Sequence, residues 1–387
     1  MNGNAKRCLL TACALCVAAG CGGGDRYGRL YDRLAEQPET FDRGVLAGRR
    51  IVIDPGHGGE FDGARGGGGL TEAEVNLGVS LHLWGMLADA GADVRLTRSS
   101  DGDFLPGDSV VVRDDLSERI KLANAFDPEV FVSIHHNASP AGNDERNGVE
   151  VYYRCADPGA SLELGRDLLL HLSRNLGIPS GEIHPGDYFV LRNSTAGAAV
   201  LTEASYISNP PVERKLRLAG KQRLEAEALF IGLVEYFSRG VPIVERLLPA
   251  ADTVDAPCEI VFRAVPAAGI PIDPSSASIE TGGRSAAARV DDGLIRWPLP
   301  ASTPNGPIEI RASVRSARGA TASSAPARLL LSRPAAHLLP LPAVRAIDGN
   351  WRIGVAVLDA GGRAVADGTP VSIMPPAGDR IVAVSYT

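Results

Sequence analysis

Residues 51–59 read IVIDPGHGG, an apolar run that leads directly into an aspartate, a proline and a histidine flanked by glycines. A short run of β-branched residues that ends at proline and glycine predicts a buried strand. The glycines on both sides of His57 let the backbone turn sharply and keep the imidazole accessible. The stretch therefore predicts a strand whose carboxyl end presents a side chain able to bind or activate a ligand.

Strand-like and helical segments alternate along residues 50–239. The strand-like runs cover 51–53, 94–96, 130–134, 149–153 and 199–202, and the clearest helical segments cover 72–90, 116–126, 161–176 and 212–238. Strands that alternate with helices predict an α/β domain, with a largely parallel twisted sheet and flanking helices. We place this domain at residues 49–240.

The character of the sequence changes after Pro242. Helical periodicity disappears, and short alternating strands are separated by proline, glycine, serine and Asp-Gly pairs. This pattern predicts a β-sandwich of the immunoglobulin type at 250–333, followed by a second, short β unit of the same type at 334–387. A sandwich fold by itself implies no activity.

The N-terminus has the pattern of a secretory signal. The apolar run that follows Lys6 and Arg7 is too short to span a bilayer. Its end, VAAGC at residues 17–21, resembles a bacterial lipobox, in which the cysteine becomes the lipidated N-terminus. We therefore expect a signal peptide at 1–21 and a lipid anchor at Cys21; an ordinary cleaved signal is the alternative.

The residues that follow this cysteine, 22–48, have the composition of a linker with a flexible, glycine-rich start. No aspartate follows Cys21, which favours the outer membrane over the inner membrane. The expected location is the cell envelope, as a periplasmic lipoprotein.

Length and charge narrow the range of partners. The chain has 387 residues, 44% of them hydrophobic, which predicts two or three domains with real cores. Its formal net charge is -7 and it has no basic run. These features argue against a nucleic-acid partner.

Three predicted strands end in a residue that can bind or activate a ligand. His57 follows the first strand, His135 the third, and Glu203 the strand at 199–202. In open α/β sheets the active crevice lies at the carboxyl ends of the strands. We therefore expect these three side chains to meet at one edge of the sheet.

A second carboxylate is expected near the same edge. Thr71 and Glu74 fit a capping box at the start of the first helix, with Thr71 as N-cap. Glu72 is then free at the first helical position and faces the sheet edge. The alternative is that Glu72 only complements the helix dipole.

Two imidazoles and one carboxylate match a catalytic zinc site, which uses three protein ligands and leaves one position for water. A second carboxylate could then take the proton of that water and pass it to a leaving amine, and Glu203 is placed for this role. The same ligand set serves non-haem iron oxygenases. We favour Zn2+ because the sequence predicts no double-stranded β-helix.

A series of motifs in chain order resembles the type-3 family of zinc-dependent N-acetylmuramoyl-L-alanine amidases. The motifs are Asp54-Pro-Gly-His57-Gly-Gly, the Glu72 helix, Leu96-Thr-Arg98, Leu116-x-x-Arg119-x-x-x-Ala123-Asn124, Ser133-Ile-His135-x-Asn137, Gly148-Val-Glu150 and Leu201-x-Glu203-x-x-x-x-Ser208-Asn209. The resemblance covers residues 50 to 238. It implies zinc bound by His57, Glu72 and His135, with Glu203 catalytic.

The resemblance also implies the reaction and the substrate. The substrate is peptidoglycan, and the bond is the amide between N-acetylmuramic acid and L-alanine, cut during cell-wall remodelling or cell separation in cell division. Asp54 and Asn137 are candidates to orient the metal-bound histidines, with a role in a turn as the equal alternative for each. His136, which stands where the family usually has a small residue, is a candidate neighbour of the metal ligands or substrate contact, and His184 and Arg192 are candidates to line the cleft.

Two other functions are compatible with the sequence. One is a catalytically inactive, cell-wall-binding envelope lipoprotein whose β units do the work, including binding of an envelope protein partner. The other is a zinc peptidase that cuts a different bond in peptidoglycan. Retention of all four site residues argues against the first, and only analysis of the products separates the second.

Overall fold

The computed structural model describes residues 29–365, except 103–110, 141–144, 158, 179–180, 255–257, 346, 348–350 and 353. The predicted signal peptide and Cys21 therefore lie outside the described residues. Within the described part, no helix is long and apolar enough to cross a membrane.

Residues 50–206 contain one six-stranded sheet. Its strands in chain order are β1 (Arg50–Pro55), β2 (Asp93–Leu96), β3 (Val130–Asn137), β4 (Val149–Arg154), β5 (Gly181–Gly186) and β6 (Ala198–Tyr206). Across the sheet they lie in the order β2-β1-β3-β6-β4-β5. The first four strands in this order are parallel, whereas β4 is antiparallel to β6 and parallel to β5. The predicted α/β fold with a largely parallel sheet is confirmed.

Helices cover both faces of this sheet. Those in the described part are α1 (Glu72–Asp89), α2 (Val112–Ala125), α3 (Ala160–Leu176), α4 (Phe189–Asn193), α5 (Pro210–Leu216) and α6 (Ala219–Ser238). Helices α1, α3 and α6 pack on the face that carries Ile51, Ile53 and Val132. Helices α2 and α4 pack on the opposite face, which carries Val52 and Phe131. Because side chains alternate along a strand, each face has its own buried core.

Two details of local structure do not follow the sequence pattern. Strand β5, with the sequence GEIHPG, has few apolar residues, and it contains Pro185. It lies at the edge of the sheet, where proline is tolerated. The predicted helix 212–238 is divided into α5 and α6, because Leu218 adopts an extended backbone conformation (φ -97°, ψ 117°).

The described part of the predicted linker, residues 29–48, packs against the α/β domain, so the linker prediction is wrong for this segment. Tyr31 is fully buried, and its backbone N–H donates to the carbonyl of Leu176 at 2.9 Å. Leu30 and Leu46 are buried as well, and a short 3-10 helix spans Arg43–Leu46. Leu30, Tyr31 and Leu34 lie at helical spacing, but residues 29–48 form no α-helix, so their burial depends on contacts with the α/β domain.

A strand-rich region follows the α/β domain, as predicted. Its strands are β7 (Ile243–Leu248), β8 (Thr253–Val254), β9 (Glu259–Val265), β10 (Ser278–Thr281), β11 (Arg284–Ala287), β12 (Val290–Asp291), β13 (Leu294–Pro298), β14 (Gly306–Arg315), β15 (Thr321–Ser323) and β16 (Ala327–Leu331). One sheet has the order β11-β10-β14-β16-β8, with β15 paired to β14, and the other has the order β12-β13-β9-β7. The two sheets bury apolar residues in one core, and the first strand begins at Ile243, before the predicted boundary at 250.

Two small hairpins follow the sandwich. They pair β17 (His337–Pro340) with β20 (Val355–Leu358), and β18 (Val344–Arg345) with β19 (Trp351–Arg352). The described residues end at 365, so the extent predicted for the second β unit, 334–387, stays a prediction.

The sandwich is joined to the α/β domain by specific hydrogen bonds. Thr321 donates its N–H and its hydroxyl to the two carboxylate oxygens of Glu163 in α3, each at 2.8 Å. Gly197 precedes β6, and a Cβ there would lie 3.0 Å from the carbonyl oxygen of Glu129 and 3.1 Å from that of Ser323. The sandwich thus lies beside the amino ends of β3 and β6, away from their carboxyl ends.

Replacement of Gly177 by alanine tests how the N-terminal segment packs. Gly177 ends α3 with φ 69°, and a Cβ there would lie 2.5 Å from the carbonyl oxygen of Arg29. We expect Gly177→Ala to reduce the free energy of unfolding by about 2 kcal/mol, because it combines left-handed strain with this clash. Calorimetry would measure the change.

Gly85→Ala is the matched control. Gly85 lies inside α1, and nothing lies within 4 Å of a Cβ built on it. There alanine should raise stability by about 0.5–1 kcal/mol. Equal melting temperatures for the two variants would contradict the packing of residues 29–48 described above.

Candidate metal centre

Three side chains from three different elements meet at the carboxyl edge of the sheet. His57 follows β1, Glu72 is the first residue of α1, and His135 lies near the end of β3. Glu72 Oε1 is 3.2 Å from His57 Nε2 and 3.0 Å from His135 Nδ1. One ligand atom from each residue lies within 4.8 Å of the other two. This convergence is the one that the sequence predicted.

The chemistry of the three donors fits a divalent ion such as Zn2+. Nitrogen and carboxylate oxygen donors are typical of catalytic zinc sites. Burial alone would raise the pKa of Glu72, but hydrogen bonds from His135 and His57 outweigh burial and hold this pKa well below its usual range. Glu72 therefore stays ionised, as a metal ligand must.

Two glycines make room for these side chains. A Cβ on Gly56 would lie 2.2 Å from His135 Cε1. A Cβ on Gly63 would lie 2.6 Å from both Glu72 Oε2 and His57 Cδ2, and Gly63 has φ +71°. His57 itself has a left-handed backbone, with φ 62°. The glycines near His57 thus do more than allow a turn, because the ligand side chains occupy the space of their missing Cβ atoms.

The start of α1 aims Glu72 at the two histidines. The predicted capping box is present: Thr71 Oγ1 accepts from the Glu74 N–H at 3.2 Å, and Glu74 Oε2 accepts from the Thr71 N–H at 3.0 Å. Glu72 is left free to turn back, and its Oε2 accepts from the Ala64 N–H at 2.9 Å. Glu72 therefore does more than complement the helix dipole, because its carboxylate also contacts the two histidines.

Glu203 lies beside His135 in the sheet. The two residues are register partners on β6 and β3, and Glu150 on β4 is the partner of Glu203 on its other side. Glu203 Oε2 is buried and has no hydrogen-bond partner among the described residues. Burial, with the negative charges of Glu72 and Glu150, raises the pKa of Glu203 well above its usual value. A carboxyl group with a raised pKa and a free oxygen is suited to proton transfer.

Two buried arginines hold the turn that carries His57. Arg119 donates to the carbonyl of His57 at 2.6 Å and to that of Pro55 at 2.7 Å. Arg98 donates to the carbonyls of Pro55 and Gly56, each at 2.9 Å. Both arginines are motif positions for which the sequence predicts no role. Nothing in the sequence shows that they bind the backbone of a turn more than forty residues earlier.

Asp54 does not orient a histidine, contrary to the prediction. Its Oδ1 accepts from the Thr97 hydroxyl at 2.6 Å, and its Oδ2 accepts from the Ser133 hydroxyl at 2.7 Å. Arg119 pairs with it at 3.2 Å. Burial would raise the pKa of Asp54, but Arg119 and the two hydroxyls outweigh it and lower this pKa. Asp54 thus ties the ends of three adjacent strands together.

The substrate contact predicted for His136 is wrong, whereas the role of Asn137 beside a histidine stays a prediction. Asn137 Oδ1 accepts from the N–H of Ala138 at 2.9 Å. His136 is 1% exposed and cannot contact substrate. Because side chains alternate along a strand, His136 points to the face opposite His135. Arg192 is half exposed and pairs with Asp187 at 2.7 Å, so its contact with substrate stays a prediction.

An aromatic cluster that the sequence analysis missed lies beside Glu203. Glu150 accepts a hydrogen bond from the Tyr152 hydroxyl at 2.7 Å. The Tyr152 ring contacts Tyr188 edge-on, with centroids 5.0 Å apart, and His184 at 5.5 Å. The spacing of Glu150 and Tyr152 on one strand face was a usable signal.

An α/β fold with a candidate metal centre and the Glu203 carboxyl group at the carboxyl ends of its strands is typical of metal-dependent hydrolases. Residues 51–235 match the family model described as N-acetylmuramoyl-L-alanine amidase. The chain belongs to this family and is an amide hydrolase.

Individual relatives agree with the family match. The germination-specific N-acetylmuramoyl-L-alanine amidase of Bacillus subtilis (strain 168) is 32% identical over 199 residues, which are 50% of this chain and 81% of that protein. N-acetylmuramoyl-L-alanine amidase AmiA of Escherichia coli (strain K12) is 28% identical over 234 residues, 49% of this chain and 76% of that protein. The solved structure of amidase AmiC2 of Nostoc punctiforme has 29% identity and a TM-score of 0.41, covering 49% of this chain and 98% of that one.

Replacement of Gly56 by alanine should weaken metal binding without removing a ligand. The new methyl group would occupy the position of the His135 ring, which lies 2.2 Å from it. We expect the affinity for Zn2+ to fall by about 10-fold or more, because the ligand geometry changes. Titration of chelator-treated protein with Zn2+ would measure this.

Gly67→Ala is the control in the same glycine-rich loop. Nothing lies within 4 Å of a Cβ at that position. Its affinity for Zn2+ should equal that of the native chain. An equal loss of affinity for Zn2+ in both variants would show that loop flexibility, rather than the space beside His135, controls metal binding.

Proposed function

We propose that this enzyme hydrolyses the amide between N-acetylmuramic acid and L-alanine in peptidoglycan, with Zn2+ held by His57, Glu72 and His135. One observation carries the proposal. Glu72 Oε1 lies within 3.2 Å of a nitrogen of each imidazole, and Glu203 stands next to His135 in the sheet register. The motifs and the family match add the identity of the bond.

The side chains divide the chemistry between them. Bound zinc supplies a Lewis acid and a water nucleophile that is active near neutral pH. Glu203 accepts the proton that the attacking water loses, and returns it to the amine nitrogen of L-alanine as the amide bond breaks. Oε2 of Glu203, which has no hydrogen-bond partner among the described residues, is the atom that would carry this proton.

The aromatic cluster is the proposed contact for substrate next to the reacting bond. Tyr188 is 41% exposed, so its ring can stack on a sugar or peptide group. Tyr152 and Tyr206 donate their hydroxyls to Glu150, which stays ionised because these bonds outweigh burial and lower its pKa. The tyrosine rings are thereby held in one orientation.

A zinc peptidase that cuts another bond in peptidoglycan is the remaining alternative. The metal centre and Glu203 would serve either reaction equally well. The family match favours the amidase, and the products of digestion distinguish the two.

Replacement of Glu203 by glutamine tests the catalytic assignment. The variant should bind zinc normally, since Glu203 is not among the three clustered ligands. Release of stem peptides from purified sacculi should fall by about 10²–10⁴-fold, the usual contribution of general acid–base catalysis. Mass spectrometry of the products would identify the bond, and elemental analysis would give the zinc content.

Glu118→Gln is the control, because Glu118 is an exposed residue of α2. It should leave both activity and zinc content unchanged. Full activity of Glu203→Gln would remove the proposed base. If the native enzyme released products cut within the peptide stem, the assignment would change from amidase to peptidase.

We also propose that the enzyme is a lipoprotein of the cell envelope, anchored through Cys21 in the outer membrane and facing the periplasm. The support is the signal-like N-terminus and the lipobox-like residues 17–21. An anchored amidase would act in cell-wall remodelling or cell separation. The β units that follow the catalytic domain are candidates to bind an envelope protein partner.

Replacement of Cys21 by alanine tests the anchor. The variant should move from the detergent-rich phase to the aqueous phase in Triton X-114 partition, because the acyl chains provide the membrane affinity. Cys16→Ala, in the same leader, should stay with the detergent. Retention of Cys21→Ala in the detergent-rich phase would exclude lipidation at this residue.

A further inference from the structure

A continuous chain of polar side chains lies behind the metal ligands, inside the core. It runs from Glu72 through Asn76, His136 and Glu225 to Tyr31. Asn76, His136, Glu225 and Tyr31 are all at most 1% exposed. This hydrogen-bonded series of side chains therefore connects a metal ligand to the N-terminal segment without contact with solvent.

Asn76 is the link that touches the metal centre. It lies one helical turn after Glu72, and its Nδ2 donates to Glu72 Oε1 at 3.4 Å and to the carbonyl of Gly56 at 3.1 Å. Its Oδ1 lies 2.8 Å from His136 Nδ1. With the amide nitrogen facing Glu72 and the oxygen facing His136, the amide has one satisfied orientation.

His136 is held in turn by residues from two distant parts of the sequence. Its Nε2 lies 3.1 Å from Glu225 Oε2 in α6. The Tyr31 hydroxyl donates to the same oxygen at 2.6 Å and lies 3.0 Å from Ser205 Oγ. Burial, followed by the charge of Glu225, raises the pKa of Tyr31 well above its usual value, so the phenol stays a donor.

Stability alone gives no reason for this arrangement. The second oxygen of the buried Glu225 carboxylate, Oε1, has no hydrogen-bond partner among the described residues. An unpartnered buried oxygen costs free energy, and well-packed apolar side chains often replace a buried charged pair without loss. A connected polar network does, however, impose one orientation on each member.

We propose that Asn76, His136, Glu225 and Tyr31 are positioning residues that hold the Glu72 carboxylate ready for the metal ion. The segment that contains Tyr31 then helps to position a metal ligand, although this segment precedes residues 51–235, which match the family. The inference rests on the proposed function in one respect, namely that the centre binds a divalent ion.

The test measures the affinity of the full-length, metal-free chain for Zn2+ by competition with a chromophoric chelator. Tyr31→Phe removes one hydroxyl and keeps the ring. His136→Asn keeps a polar group near Asn76 and removes the contact with Glu225. We expect both to weaken zinc binding by up to about 10-fold, the lower end of the effect of losing a direct partner of a metal ligand, because both act on Glu72 through Asn76.

Tyr236→Phe is the matched control, because Tyr236 is also buried but contacts Phe237 and Arg239 near the sandwich. It should bind zinc as the native chain does. The melting temperature of each metal-free variant and the visible spectrum of the Co2+-loaded variants complete the comparison. A changed Co2+ spectrum at an unchanged melting temperature would show positioning rather than general loss of structure.

Zinc affinities of Tyr31→Phe and His136→Asn that equal that of Tyr236→Phe would overturn the inference. A loss of affinity that only follows the metal-free melting temperature would overturn it too. Failure of the proposed function would give a different result, because the native enzyme would then bind zinc but release no stem peptide from sacculi. The affinity comparison does not depend on that result.

Discussion

The in-register parallel pairing of β1, β3 and β6 is the constraint on which the site depends. This pairing sets Asp54 opposite Ser133 and His135 opposite Glu203. Because parallel strands end at the same edge, two imidazoles and a carboxyl group reach one point from distant parts of the chain. A shift of one residue would turn these side chains to the opposite face.

Buried charge then fixes the turn that follows β1. Arg119 and Asp54 are both nearly inaccessible and lie 3.2 Å apart, and a buried charge is tolerated only when it is paired and hydrogen-bonded. Arg119 and Arg98 also donate to the backbone carbonyls of Pro55, Gly56 and His57. The left-handed conformation of His57 is thus held by many bonds from outside the turn.

Two described parts of the chain, the sandwich and residues 29–48, lie away from the carboxyl edge. The sandwich joins α3 through Thr321 and Glu163 and lies beside the amino ends of the strands. Residues 29–48 pack on the face that carries α3 and α6, with Tyr31 in its core. Neither of these two described parts lies over the metal centre.

The amino-acid sequence was sufficient to predict the α/β alternation, the strand-rich region after residue 242, and the set His57, Glu72, His135 and Glu203. These features are local, because apolar periodicity, a capping box and residues at strand ends can each be recognised within a few positions. Contacts between distant residues, in contrast, depend on the packing of the whole domain. His136 is buried because α1 and α6 pack over its face of the sheet, and Tyr31 meets Glu225 across 194 positions, a pairing that no local pattern encodes.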